Sequence, residues 1–326
     1  MYKKLEIANL PTKIEKLENL SKELGVNIYI KRDDQTGSEI SGNKIRKLEY
    51  SLKEALDMGC DTLITCGGIQ SNHARATAAA GIKLGLDSIL VLKSDEEPEL
   101  DGNYFIDRMI GAEVRLISSD DYANRRQEIM ENIKAELAEK GRKAYIIPEG
   151  ASNGIGALGY FSAMKEIKTQ EEEMGVIFDT VVSAVGSGGT YAGLYLGNKV
   201  FDGSKNMAGF NVSNTAEHFK YRVVEILEES RVYLRDITAE VTTEDMNIID
   251  GYVGIGYALS RPEELEFLHY LAKKDGVILD PVYTGKAMYG LYNEIKKGTF
   301  KNSKNILFIH TGGLFGLFPK KNQFEF

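Results

Sequence analysis

The chain has 326 residues, of which 43% are hydrophobic, and carries a net charge of -8. That length can bury the core of one large α/β domain or of two compact ones. The acidic balance, with no compensating basic stripe, argues against nucleic acid or an anionic membrane surface as a partner. The first residues include Lys3, Lys4 and Glu6 and no apolar run, and no stretch is long enough to span a bilayer, so the expected location is the cytoplasm. Two cysteines, Cys60 and Cys66, and four histidines predict neither a disulfide framework nor a metal site, and Cys66 reads as a buried thiol.

In chain order, residues 12–24 read as helical and 27–32 as extended. A polar loop with Gly37, Gly42 and Asn43 then leads into an amphipathic helix over 44–58, whose apolar positions Ile45, Leu48, Leu52, Ala55 and Leu56 recur every three or four residues. Asn43 is a candidate cap for this helix. A strand over 62–66 passes through Gly67 and Gly68 to Ser71-Asn72-His73 and an alanine-rich helix reaching about Leu84. Strands at 88–93, 113–117 and 144–147, with helices around 103–110 and 155–167, continue the alternation, and 180–185 is a strand ending in a second glycine loop. This β-loop-α order predicts mostly parallel sheets with helices on their faces, and ligands of such sheets bind at the strands' carboxyl ends.

Four strand-to-helix loops carry small polar residues there. Lys44 falls in the first turn of its helix, beside free N–H groups and the positive end of the dipole. That placement lowers a lysine's pKa and favours the neutral amine that attacks carbonyls. Gly186-Ser187-Gly188-Gly189-Thr190 can converge backbone N–H groups on a phosphate, yet it lacks both the P-loop ending and the dinucleotide spacing. The third loop, 279–286, is read as an apolar strand at Val277–Leu279 leading to a helix from about Thr284, with Asp280 anchoring the turn. The fourth, 307–313, opens at His310-Thr311-Gly312-Gly313. Four such loops and a lysine at a helix start suggest one site assembled from distant parts of the chain.

Gly42-Asn43-Lys44, Gln70-Ser71-Asn72-His73, Gly186 to Thr190, Asp280-Pro281-Val282-Tyr283-Thr284-Gly285-Lys286 and His310 to Gly313 together resemble the D-cysteine desulfhydrase and 1-aminocyclopropane-1-carboxylate deaminase family, in the family's order, over about residues 8–318. The resemblance implies an α/β architecture of the tryptophan-synthase-β-like kind (fold type II). Its two domains, each with a mostly parallel twisted sheet flanked by helices, would be a larger one from 1–52 and 157–326 and a smaller inserted one from 53–156. It implies pyridoxal 5'-phosphate as cofactor, with Lys44 as Schiff-base lysine and proton carrier and Gly186, Ser187, Gly188, Gly189 and Thr190 on the phosphate. Asn72 would meet the ring hydroxyl, and Thr284, or less favourably Thr311, the pyridine nitrogen. Ser71, Asn72 and His73 would take the substrate carboxylate, Ser71 also counting as catalytic, and Tyr283 and Tyr257 would lie over the substrate. A homodimer acting on a small amino acid is expected.

The resemblance also bears on substrate. Ring-opening deaminases of the family carry an acidic residue directly after the tyrosine aligned with Tyr283, whereas this chain has Thr284; Ser41 replaces a common glycine. The first departure favours β-elimination from D-cysteine to pyruvate, ammonia and sulfide. The alternatives are 1-aminocyclopropane-1-carboxylate, L-cysteate or D-serine-type substrates, and, from another class, a phosphate-ligand binding protein without catalysis.

Overall fold

The computed structural model describes residues 2–235, 237 and 239–326; Met1, Asp236 and Thr238 lie outside the described residues. The first half of the chain runs Ile14–Lys16 (β1), Glu18–Leu24 (α1), Asn27–Lys31 (β2), Asn43–Asp57 (α2), Thr62–Gly68 (β3), Asn72–Lys83 (α3), Asp87–Lys93 (β4), Gly102–Met109 (α4), Glu113–Ile117 (β5), Ser119–Asn124 (α5), Arg126–Glu139 (α6) and Ala144–Ile147 (β6). The second half runs Gly154–Met174 (α7), Thr180–Val185 (β7), Gly189–Phe201 (α8), Asn206–Asn211 (β8), Ala216–Ser230 (α9), Asn247–Ile249 (β9), Pro262–Asp275 (α10), Thr284–Lys296 (α11) and Asn305–Ile309 (β10).

The strands form two sheets, one in the order β1-β2-β10-β7-β8-β9 and one in the order β5-β4-β3-β6. Every pairing is parallel except β1 with β2. Because side chains alternate across a strand, the larger sheet feeds two cores. Tyr29, Val181, Val185, Leu307 and Ile309 pack with α7, α8 and α9, while Ile28, Ile30, Val182, Ala184, Ile306 and Phe308 pack with α1, α10 and α11. In the smaller sheet, Leu63 and Ile147 face α2 and α3, and Ile64, Cys66, Ile89 and Val91 face α5 and α6. Among the described residues no helix is long and apolar enough to cross a membrane.

Two local expectations fail. Residues 14–16 are a strand, because they pair antiparallel with β2 from Ile14 opposite Lys31 to Lys16 opposite Tyr29, and edge pairing outweighs local helical pattern. Val277–Leu279 is not a strand. It pairs with neither sheet and packs through Val277 and Leu279, leaving Ile278 outward.

Helix α2 sits between the two sheets and is buried on nearly every side. Ile45, Leu48, Leu52 and Ala55 enter the core of the smaller sheet. On the other face Arg46 grips Asp33 with two hydrogen bonds of 2.8 Å and Glu166 of α7 with two of 2.9 Å. Tyr160 donates to Asp33 at 2.6 Å and Thr12 at 2.7 Å. Burial alone would raise the Asp33 pKa, but Arg46 and Lys31 overcome it and hold the carboxyl at about 2. Arg46→Met leaves the buried Asp33 and the half-buried Glu166 without their guanidinium, and its urea-unfolding free energy is expected to fall by about 3–5 kcal/mol, part of which Asp33→Asn in the same chain restores. Because the Asp33 pKa is depressed, its share of stability is present above the unfolded value and lost as pH falls from about 4 towards 2.

Candidate active site

Parallel strands end together, so the carboxyl ends of β3, β6, β7 and β10 open onto one cavity of about 710 Å³. Its walls include Lys44, Ser71, Asn72, His73, Gly186, Ser187, Gly188, Thr190, Tyr257, Tyr283 and Thr311, which the chain separates by up to 267 residues (Lys44 to Thr311).

Lys44 reaches this cavity because α2 begins hard against the loop after β10. Gly42 has φ +101°, and a Cβ there would stand 2.8 Å from the Thr311 carbonyl, so only glycine lets the two loops meet. The same carbonyl accepts from Asn43 N at 3.0 Å. Asn43 is not the cap expected of it. It is the first helical residue, and its amide donates to Thr190 Oγ1 at 3.0 Å, tying the start of α2 to the start of α8. Ser41 adopts no left-handed backbone, so serine fits there, and its carbonyl accepts from Arg75 at 3.0 Å. Lys44 has no hydrogen-bond partner among the described residues. Its pKa is lowered to about 8 chiefly by burial, with Glu149 opposing the shift. Desolvation is therefore the leading cause.

The glycine loop after β7 is built as an anion cradle. Gly188, with φ +87°, is the N-cap of α8. A Cβ on Gly189 would lie 2.8 Å from both Lys47 Nζ and Ser152 Oγ, so the loop and these two side chains are in contact. Gly189 itself does not line the cavity, and its N–H points to Ser152 Oγ at 3.3 Å. Ser152 Oγ also lies 2.7 Å from Ser187 Oγ, and Lys47 Nζ donates to Gly150 O and Ser152 Oγ at 2.9 and 3.0 Å. Lys47 and Ser152 were missed by the sequence reading. Lys47 stands one turn beyond Lys44, a spacing that puts both on one helix face, and Ser152 follows a strand through Gly150, the same signal as the other loops. Burial, then the neighbouring Lys44, pushes the Lys47 pKa far down, so a bound anion here would restore its charge.

On the opposite wall Ser71 caps α3 by accepting from Ala74 N at 3.1 Å, which leaves its hydroxyl proton free. Asn72 Oδ1 accepts from Asn103 at 2.9 Å, and Asn103 is held in turn by Arg75 at 3.0 Å, so the Asn72 amide N–H groups remain for the cavity. The Thr65 hydroxyl donates to Ile147 O at 2.7 Å and thus accepts from His73 Nε2, at 2.8 Å; Nδ1 is then a buried acceptor without a partner. Burial drives the His73 pKa well below its ordinary value, so the ring is neutral.

The Tyr257 and Tyr283 hydroxyls hydrogen-bond each other, with ring centroids 6.0 Å apart. Burial raises both pKa values, Tyr257's to about 12, so both phenols stay protonated. Asp280 anchors the turn as expected, accepting from Val282 N, Tyr283 N and Thr284 N at 2.8 Å each. Thr284 does not face the cavity. Its hydroxyl donates its proton to Asp280 Oδ1 at 2.6 Å and accepts from Asp280 N at 3.0 Å, so it has no proton left to donate; of the two threonines expected at the pyridine nitrogen, Thr311 is the one on the wall.

These residues fit a phosphorylated aldehyde: a neutral-leaning amine, a glycine cradle backed by a charge-starved lysine, and free amide and hydroxyl donors. The model for "Pyridoxal-phosphate dependent enzyme" matches residues 5–312. The bifunctional D-cysteine desulfhydrase/1-aminocyclopropane-1-carboxylate deaminase, mitochondrial, of Arabidopsis thaliana is 44% identical over 97% of this chain and 80% of its own length. The D-cysteine desulfhydrase of Yersinia enterocolitica is 38% identical over 99% and 97%. A crystal structure of an ACC deaminase homologue superposes with a TM-score of 0.90 at 42% identity, covering 98% of this chain and 94% of that one. The two-sheet α/β fold and the family resemblance read from the loops are thereby confirmed, pyridoxal phosphate is the cofactor, and the chain belongs to the D-cysteine desulfhydrase and 1-aminocyclopropane-1-carboxylate deaminase family of pyridoxal-phosphate dependent lyases.

Proposed function

We propose that the protein is a β-eliminating, deaminating lyase that converts D-cysteine and water to pyruvate, ammonia and hydrogen sulfide. The observation that carries this reading is position 284. Where ring-opening members of the family carry an acid, this chain has a threonine whose hydroxyl is consumed by Asp280, which leaves the neutral Thr311 on the wall. A second reading, opening of 1-aminocyclopropane-1-carboxylate, draws support from the double name of the Arabidopsis relative.

Bound pyridoxal phosphate supplies an electron sink that acidifies the substrate α-C–H. Lys44 is the residue to bond the cofactor aldehyde and then to move the α-proton, since its Nζ is freed from other partners and deprotonates near pH 8. The backbone of 186–190 would hold the phosphate, with Ser152 and Lys47 beneath it. Asn72, with its acceptor already committed to Asn103, can donate to the ring hydroxyl. Ser71 and the first N–H groups of α3 suit the substrate carboxylate, and the two protonated tyrosines can hand a proton to departing sulfur. In this reading the chain works as a homodimer.

In a panel of D- and L-amino acids with β-leaving groups plus the cyclopropane substrate, keto-acid release is expected mainly as pyruvate from D-cysteine. 2-Oxobutanoate as the main product would move the assignment to the second reading. Lys44→Ala is expected to lose about 10³-fold or more in turnover. Amine-reactive labelling of the apoprotein should titrate Lys44 near pH 8. Glu149→Gln should move that titration lower, because the Glu149 charge raises the Lys44 pKa.

A further inference from the structure

Lys286 closes the Asp280–Lys286 loop motif and has no part in the site described above, yet it is one of the largest side chains that the fold buries completely. It stands three residues after Tyr283 on α11, and its Nζ donates to the carbonyls of Val253 and Gly256 at 2.5 and 2.8 Å. Those carbonyls belong to the connection between β9 and α10, and Gly256 is the residue before Tyr257. Burial lowers the Lys286 pKa, while Glu264 and Asp280 favour its charge.

The two tyrosines of the cavity wall are held by different means. Tyr283 is the N-cap of α11, its backbone N–H donates to Asp280, and its ring packs so closely on the loop after β7 that a Cβ on Gly186 would lie 2.9 Å from it. Tyr257 has no such support. Ile255, Tyr257 and Leu259 are 66, 45 and 50% exposed, so apolar burial does not hold the segment. Ala258 within it takes φ +60°, a conformation that an L-residue keeps only where its surroundings impose it. Hydrogen bonds across the segment include Leu259 N to Gly256 O at 3.2 Å, Ser260 Oγ to Pro281 O at 3.3 Å and the two from Lys286, which are shorter and charge-assisted. Water could satisfy carbonyls in so exposed a segment, whereas burying an ammonium is costly. What the ammonium adds is a fixed position.

We propose that Lys286 is the positioning residue for Tyr257: through the Val253 and Gly256 carbonyls it keeps the Tyr257 hydroxyl on that of Tyr283, so that the pair delivers a proton to the departing sulfur. One helix, α11, thereby sets both phenols, Tyr283 directly and Tyr257 through Lys286. This deepens the lyase reading and rests on it. In the step concerned the Cβ–S bond breaks with its electron pair on sulfur, sulfur takes a phenolic proton, and the phenolate recovers one from water, with nothing oxidised or reduced.

The test follows pyruvate release by the holoenzyme from D-cysteine, whose sulfur takes a proton on leaving, and from β-chloro-D-alanine, whose chloride needs none. Lys286→Met, checked for retained cofactor absorbance, is expected to lower kcat for D-cysteine about tenfold or more with KM within about threefold, and to change kcat for β-chloro-D-alanine by less than about threefold. Lys286→Arg, which keeps the charge and the donors, should recover part of the loss. Lys286→Gln, which leaves one carbonyl satisfied, gives the same reading at a lower cost to folding. In a Tyr257→Phe background Lys286→Met should cost less than about twofold more, because the hydroxyl it positions is already gone. Amide hydrogen exchange in Lys286→Met should quicken over residues 253–259 and stay unchanged in α10 and α11. An equal loss on both substrates, a full further loss on top of Tyr257→Phe, or unchanged D-cysteine turnover would overturn the positioning role alone. No pyruvate from D-cysteine with the unaltered holoenzyme would instead overturn the lyase reading on which it rests.

Discussion

The placement of α2 between the two sheets is the constraint on which the site depends. Its Arg46 holds Asp33 and Glu166 from the larger sheet's side, while Ile45, Leu48 and Leu52 belong to the core of the smaller sheet. One helix therefore carries charge recognition on one face and apolar packing on another. Lys44 and Lys47, on the remaining face, are left pointing into the space between the sheets. Gly42 completes the arrangement by letting the Thr311 carbonyl approach closer than any side chain would allow.

From that placement the electrostatics of the cavity follow. Lys44 and Lys47 are both desolvated and they repel each other, so neither comfortably carries a proton. The structure resolves the two differently. Lys47 is occupied by Gly150 O and Ser152 Oγ beneath the glycine cradle, a position suited to an anion, whereas Lys44 is unbonded and free to react. Neutral His73 and the protonated tyrosine pair add no charge of their own beside Lys44, where Glu149 is the carboxylate that acts on it.

Much of this could be read from the chain before any coordinates. The alternation of strands, glycine loops and helices gave the parallel sheets, because local apolar periodicity and loop chemistry agree in segments such as 43–57 and 180–190. What escaped depended on contacts distant in sequence. β1 is a strand because β2 offers it an edge, whereas 277–279 finds no strand to pair with and stays irregular. Asn43 had the composition of a cap but was recruited by Thr190, and Thr284 had the composition of a ligand but was consumed by Asp280. Lys47, Ser152 and Glu149 are ordinary residues in isolation; only the folding of α2 against the loop after β6 gives them a role.

The central claim is that, of two buried lysines one helical turn apart, Lys44 and not Lys47 bonds the cofactor. Reducing the holoenzyme with borohydride and mapping the phosphopyridoxyl group by peptide mass spectrometry tests this directly. The account predicts the label on Lys44 alone; label on Lys47, or on neither residue in a protein that retains its cofactor, would contradict it.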